Sequence, residues 1–434
     1  MTGTGRVLLA WSLLALGVSA RGGEFSLYGL AFVTVGLGLV ASVVLARLPL
    51  HVPQRPDLVL PVAVSVLSAV AHPARRNMHI GSAGGLLATA VLSCVVAALT
   101  GLSLRLPDSH QRRCWPGLAV LAGGTGVVTV LLSPDPYIDV WHLLQESSDG
   151  LLRGADLYRQ HWSQRHGLRD VYPYLPGTTV LLAPFRWLLG DVRYGLLAAI
   201  LGGAWVIRRL APRAPVALAA LLLVFPHWVL LVDQSWTEPL LLLALAGAVL
   251  ALRQERPGLA VLGLAVALAC KQHVVLLLPV FALWPTFGPR RAAWSALLAG
   301  LVVLPWLVAG PGDLWHDAVS ANLSLGVLRR ALSLPSLFGR AGVVVGFWFT
   351  LLALGAAYAL VLRRVRRTPS GLALGCGVVM WALDVANKQS FFNHYTLPLG
   401  LLVVALAAAE PDSDPLADQG AVTMTTGEGV VTTP

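Results

Sequence analysis

Apolar residues fall in long blocks along this chain, not at helical or strand spacing. The blocks lie at 7–20, 27–46, 58–71, 80–104 and 115–133, and again at 174–190, 194–207, 214–232, 240–252, 258–270, 274–284, 293–309, 341–362, 370–385 and 396–409. A run of ~20 apolar residues covers the ~30 Å hydrocarbon core of a bilayer. In lipid such backbone is helical, because only a helix or a closed barrel satisfies every N–H and C=O within itself. The pattern predicts an all-α fold: a polytopic transmembrane helical bundle of about 13 spans, some short or re-entrant. The run 7–20 ends in small residues like a secretory signal, but apolar blocks follow at once, so it reads as a retained first span.

The polar stretches between blocks are of two kinds. Arginine punctuates one set: 47–57, 105–114, Arg208, Arg209 and Arg213, Arg253 and Arg256, Arg290 and Arg291, and the run 363–367. Such loops favour the cytoplasmic side. The other set carries carboxylates, lysines, histidines and aromatics: 134–173, 233–238, 271–273 and 387–395. Threading the chain from the arginine loops places all of this second set on the outer face. Arg75 and Arg76 in the loop 72–79 run against the rule, and 58–71 is short, so the order of crossings before residue 114 stays open. Blocks 174–190 and 194–207 are both short, and only an odd number of crossings reaches the arginines that follow, so one of the two is re-entrant or interfacial.

Composition narrows the class. The chain has 434 residues, 56% hydrophobic and 12% charged, with a mean hydropathy of +0.73. Soluble domains carry about 25% charged residues, which excludes an ordinary soluble protein. The +10 charge is mostly loop arginine and implies no nucleic-acid partner. Cys94, Cys114, Cys270 and Cys376 show neither metal spacing nor a disulfide framework and read as packing residues. Of 31 basic residues only Lys271 and Lys388 are lysines, and each precedes a glutamine, Gln272 and Gln389. An ionisable group at span depth costs ~2.5–3.5 kcal/mol on insertion scales and marks function by default. Lys271, Asp384 and Lys388 are such groups. The bland alternative is that the lysines snorkel or pair with a carboxylate such as Asp233 or Asp384.

Chemically, the outer set suits sugar transfer from a lipid phosphate. An acceptor hydroxyl needs a base, and a positioned carboxylate contributes roughly 10²–10⁴ in rate. Asp139 follows a span closely, with Asp135 as its neighbour. A departing phosphate needs cations and donors; Lys271, Gln272, His273, Lys388, Gln389 and His394 are candidates, with Tyr172 as an aromatic contact. The bland readings are a helix cap for Asp139 and interfacial anchoring for the aromatics. No DxD pair stands near the loop and no Walker or Rossmann glycine pattern occurs, so neither a metal nor a cofactor is expected.

The order of motifs resembles a known clan. Asp139-Val140-Trp141 is followed by Gly154-Ala155-Asp156-Leu157-Tyr158, then by Tyr172-Pro173-Tyr174-Leu175-Pro176 leading to Pro184, and Asn393-His394-Tyr395 precedes the last block. This is similar to the GT-C membrane glycosyltransferases, most closely to glycosyltransferase family 87, the polyprenyl-phosphate-mannose-dependent mannosyltransferases of actinobacteria. The resemblance covers about residues 115–409. It implies a GT-C-like core with an outer loop at 134–173, a catalytic aspartate mapping onto Asp139 with Asp135 as competitor, and a polyprenyl-phosphate-linked sugar donor. It also implies a glycolipid or glycan acceptor of the cell envelope and a multi-pass location in the cell membrane with an extracytoplasmic active site. The family places its aspartate after the first span, whereas about four blocks precede it here. Residues 1–114 are then an added module of transmembrane helices, or the mapping is shifted. The family's Tyr-Pro-Pro is Tyr-Pro-Tyr here. Residues 410–434 read as a disordered cytoplasmic tail. Two other classes remain open: a transporter or flippase of lipid-linked envelope precursors, and a scaffold in an envelope complex.

Overall fold

The computed structural model describes residues 1–71, 78–163 and 170–410. Arg75 and Arg76, and the tail from residue 411, lie outside the described residues. The chain is 73% helical, and no strand forms among the described residues.

Six helices are long and apolar enough to cross a membrane: Gly3–Gly23, Leu27–Leu45, Ala83–Ser103, Asp108–Leu132, Gly288–Ala309 and Pro369–Ala386. A seventh crossing results if the bent pair Gly177–Leu189 and Arg193–Leu210 counts as one span. In chain order the helices are α1 (Gly3–Ser19), α2 (Leu27–Leu45), α3 (Val59–Val70), α4 (Ala83–Ser103), α5 (Asp108–Leu132) and α6 (Asp139–Leu152). Next come α7 (Gly177–Leu189), α8 (Arg193–Leu210), α9 (Val216–Ala220), α10 (Trp228–Asp233), α11 (Glu238–Arg253), α12 (Pro257–Cys270), α13 (Leu278–Ala282) and α14 (Gly288–Ala309). The last are α15 (Pro311–Trp315), α16 (Ala321–Ser324), α17 (Leu334–Arg340), α18 (Trp348–Arg364), α19 (Pro369–Ala386) and α20 (Phe392–Ala407).

Several apolar blocks become short or broken helices. α3 has 12 residues and α12 has 14. At 1.5 Å per residue such a helix covers roughly 20 Å, less than the ~30 Å core. Block 214–232 breaks into α9 and α10 around Pro226 and His227, whose φ of 63° no helix accepts. Block 274–284 starts as a 3₁₀ helix, Gln272–Leu277, before α13. The α7–α8 pair bends by 114° at Gly190, whose φ of 82° suits glycine. That bend matches the expectation of a re-entrant or broken segment there.

The helices differ sharply in what surrounds them. The α19 window is 89% buried and lies at the centre of the bundle, whereas α14 is only 17% buried and turns its apolar surface outward. α20 packs along α19, α11 and α1, and α2 packs on α18 and α19. The first two helices thus share the main hydrophobic cluster, which runs from Val7 to Ala408.

Three central helices give the molecule two chemically distinct ends. α11 runs from Glu238 to Arg253, α19 from Pro369 beside the 363–367 arginines to Asp384, and α20 returns from Asn393 to Ala407. One end carries Arg47, Arg253 and the 363–367 run. The other carries Glu238, Asp384, Asn393 and Lys271.

Candidate functional site

The carboxylate end is built from three helix termini. Glu238 opens α11 with Pro239 behind it. Proline suits a first turn because it lacks the N–H that would be orphaned there, and an acid in that turn is favoured by the helix dipole. α12 stops at Lys271, whose extended backbone (φ −147°, ψ 132°) breaks the helix and aims the side chain back across the bundle. α20 begins at Phe392, which puts Asn393 in its first turn. Lys271 Nζ lies 2.6 Å from Glu238 Oε1, with side-chain exposures of 11% and 1%. Asn393 Nδ2 donates to the same oxygen at 3.2 Å. Glu238 Oε2 and Asn393 Oδ1 are buried without a protein hydrogen bond. Lys271 Nζ also stands 5.7 Å from the centre of the Tyr174 ring. His273, His394 and Asp384 are within electrostatic reach of this ion pair.

The carboxylates of the loop 134–173 belong to a different segment. Asp139 stands in the first turn of α6, and its Oδ1 accepts the Val140 N–H at 2.9 Å. The N-cap of α6 is Ile138, and among the described residues no side chain caps the helix. The Tyr174 hydroxyl is within electrostatic reach of both Asp139 and Glu238. Asp135 is the more open of the two aspartates, 82% exposed and 3.9 Å from His142 Nε2.

Hydrogen bonds fix the segment that carries Tyr174. The Leu175 N–H and the Thr178 hydroxyl both donate to the Cys270 carbonyl, at 3.1 and 2.8 Å. Gln272 Nε2 donates to Pro173 O at 2.9 Å and to Ala318 O. The Tyr172 N–H donates to Asp317 Oδ2 at 2.8 Å, and its hydroxyl bonds Thr179. The Tyr158 hydroxyl donates to Tyr174 O at 2.9 Å. Asp317 lies in a single π turn, His316–Ser320. Burial pushes the Asp317 carboxyl above the usual range, opposed by the Tyr172 N–H and His316. Tyr172 and Gln272 therefore hold the loop in place.

The remaining sequence candidates are spread out. His394 Nδ1 accepts the Phe391 N–H at 3.2 Å and so closes the start of α20. Lys388 Nζ donates to the Leu323 carbonyl at 2.6 Å, which ties the end of α19 to α16. Gln389 Nε2 is buried without a protein hydrogen bond.

Glu238 and Asn393 were absent from the sequence candidates, although both lie in the polar set read as outer. Their signal was a polar side chain in the first turn of an apolar helix. Asp191 and Arg193 were missed altogether. Arg193 is 1% exposed and donates to both Asp191 oxygens, the closest contact being 2.6 Å. Trp141 Nε1 donates to Asp191 at 3.2 Å, and Arg193 stacks 5.5 Å from the Trp141 ring. This pair anchors α6 two residues after Asp139. Among the described residues no group of three His, Cys, Asp or Glu side chains could hold a metal ion. Compared with family models, curated proteins and solved structures, the chain matches none.

Proposed function

We propose that the protein is an integral-membrane glycosyltransferase of the GT-C kind, with about 13 crossings once short and broken helices are counted. It moves a sugar, mannose by the resemblance to family 87, from a polyprenyl phosphate to an envelope acceptor hydroxyl on the extracytoplasmic face. Asp139 takes the proton of the acceptor hydroxyl as its oxygen attacks the anomeric carbon. The bond from that carbon to the phosphate oxygen breaks, its electron pair leaves with the lipid phosphate, and the configuration inverts. Lys271, with His273 and His394 beside it, receives the phosphate's charge. Glu238 and Asn393 hold Lys271 in place. Asp135, more exposed, is the weaker choice of base, because a base shielded from water is better positioned for proton transfer.

The observation that carries the reading is the buried Lys271–Glu238 pair, with the Tyr174 ring 5.7 Å from Lys271 Nζ. A lysine at this depth needs a reason. Short and broken helices around it, α12 and the 3₁₀ segment 272–277, leave irregular backbone that survives at membrane depth only beside a cavity or packed protein.

Membranes carrying the protein should label an acceptor when given labelled polyprenyl-phosphate sugars. Asp139→Asn, expressed at the normal level, should lower transfer at least ~100-fold. Transfer at the parental rate would remove Asp139 as the base. The rival reading, transport of a lipid-linked precursor, draws on the buried break between α9 and α10, since transporters build sites from discontinuous helices. Flux through proteoliposomes with no new glycosidic bond would favour that rival.

A further inference from the structure

We infer that the arginine end of the bundle holds a phosphate-bearing headgroup, carried by an anionic lipid of the cytoplasmic leaflet, in a cavity separate from the site proposed above. The cavity has a volume of about 230 Å³ and lies where α2, α11, α18, α19 and α20 end or begin. That is room for a phosphodiester and the start of its glycerol.

Arg47, Arg253, Arg364 and Arg366 line it, and Glu410 is the one carboxylate among the described lining residues. Arg47 and Arg253 are held in place by helix-end carbonyls: Arg47 donates to Arg363 O at 3.1 Å and Arg253 to Ala407 O at 3.2 Å. Among the described residues no hydrogen bond or ion pair engages the side chain of Arg364 or Arg366. Among the described residues two guanidinium groups thus stand unengaged beside a cavity lined by four arginines and one carboxylate. The 18-residue α19 starts in the same cavity, capped by Thr368, and adds the positive end of its dipole.

Arginine in cytoplasmic loops orients helices wherever it falls, so charge alone would imply nothing more. What exceeds orientation is convergence of four arginines on one cavity. Val44, Leu50 and Leu374 form an apolar part of its wall. A free phosphate has no use for that wall, whereas the glycerol and first acyl carbons of a lipid do. Basic pockets between transmembrane helices on the cytoplasmic side bind anionic headgroups by this combination.

The test uses the full chain, purified and stripped of lipid, then placed in phosphatidylcholine nanodiscs with or without phosphatidylglycerol. Native mass spectrometry counts retained phosphatidylglycerol. The variant Arg364→Gln/Arg366→Gln should bind it about 30-fold more weakly. Arg364→Lys/Arg366→Lys should keep most of the affinity. Arg105→Gln/Arg113→Gln removes the same charge from the same end outside the cavity and should stay within about twofold of wild type. An unchanged thermal midpoint without lipid shows that each variant folds. Equal retention by the glutamine variant and the Arg105/Arg113 control would overturn the site. If millimolar pyrophosphate protects the stripped protein as well as phosphatidylglycerol does, and the glutamine variant loses both effects, the occupant is a soluble phosphate and the lipid assignment falls.

Discussion

Lys271 and Glu238 show how one ion pair can be both costly and fixed. Each charge has left water, and the pair persists because 2.6 Å geometry and the Asn393 amide offset that loss. Removing one partner strands the other, so Lys271→Met or Glu238→Gln alone should destabilise the protein by about 3–5 kcal/mol. The double variant Lys271→Met/Glu238→Leu should recover most of that, because an apolar pair of similar size needs no desolvation. Thermal unfolding in detergent reads the difference. Strictly additive losses would mean that the two side chains do not act as a pair. Asp317 gives a pH dependence at the same scale. Its folded carboxyl titrates above the unfolded one because it is buried. Stability from its protonated form is fully present below the unfolded value of ~3.9 and is lost as pH rises through the folded value. Asp317→Asn keeps an acceptor for the Tyr172 N–H and cannot ionise. Wild type should therefore lose stability relative to this variant as pH rises above about 4. Parallel pH slopes for the two proteins would refute the assignment.

At the scale of elements, α6 carries Asp139 and is fastened by two ion pairs of different burial. Arg186 donates to both oxygens of Asp149 at 2.9 and 2.8 Å, with about a third of each side chain exposed. Arg193 and Asp191, almost wholly enclosed, reach α6 through Trp141. Exposed pairs contribute about 0–1 kcal/mol, whereas breaking an enclosed one costs about 3–5 kcal/mol. Arg193→Met should therefore speed hydrogen exchange in α6 far more than Arg186→Met does. Equal exchange in the two variants would show that the Asp191–Arg193 pair does not position the helix. How far the chain's organisation can be read from its letters also differs by element. Lys271 stands out because a lysine interrupts apolar blocks, and the bend after α7 follows from two short blocks with Gly190 between them. Glu238 did not stand out, because a carboxylate before proline at a block's start reads equally well as a helix-start device. Arg193 was hidden for a related reason: it falls between two apolar blocks and resembles loop punctuation until its partner two residues away is seen. The break at His227 is marked in the sequence by Pro226 alone, since the apolar run continues through it. What decides the break is backbone at φ 63°, set by packing on all sides.

For the whole molecule, the arrangement of ends makes depth calculable. α11 joins Arg253 to Glu238 over 16 residues, a rise of roughly 24 Å at 1.5 Å per residue. With Arg253 at one edge of a ~30 Å hydrocarbon core, Glu238 and Lys271 lie several ångströms inside the opposite edge. On the proposed orientation such a cluster is reached from one face only; Lys271 is 9% exposed. The arginine end would then face the cytoplasm and the Asp139 loop the outside. Single cysteines test this directly once the four native thiols, all free, are replaced by alanine. Asp135→Cys, at an exposed loop position, should react with an impermeant maleimide added to intact cells. Arg256→Cys, beyond the other end of α11, should react only after the cells are opened. Labelling of both from the same side would put the Asp135 loop and the arginine end of α11 in one compartment. No single bundle spanning the bilayer could then hold the Lys271–Glu238 pair beneath an outer loop, and the glycosyltransferase reading would lose its geometry along with its orientation.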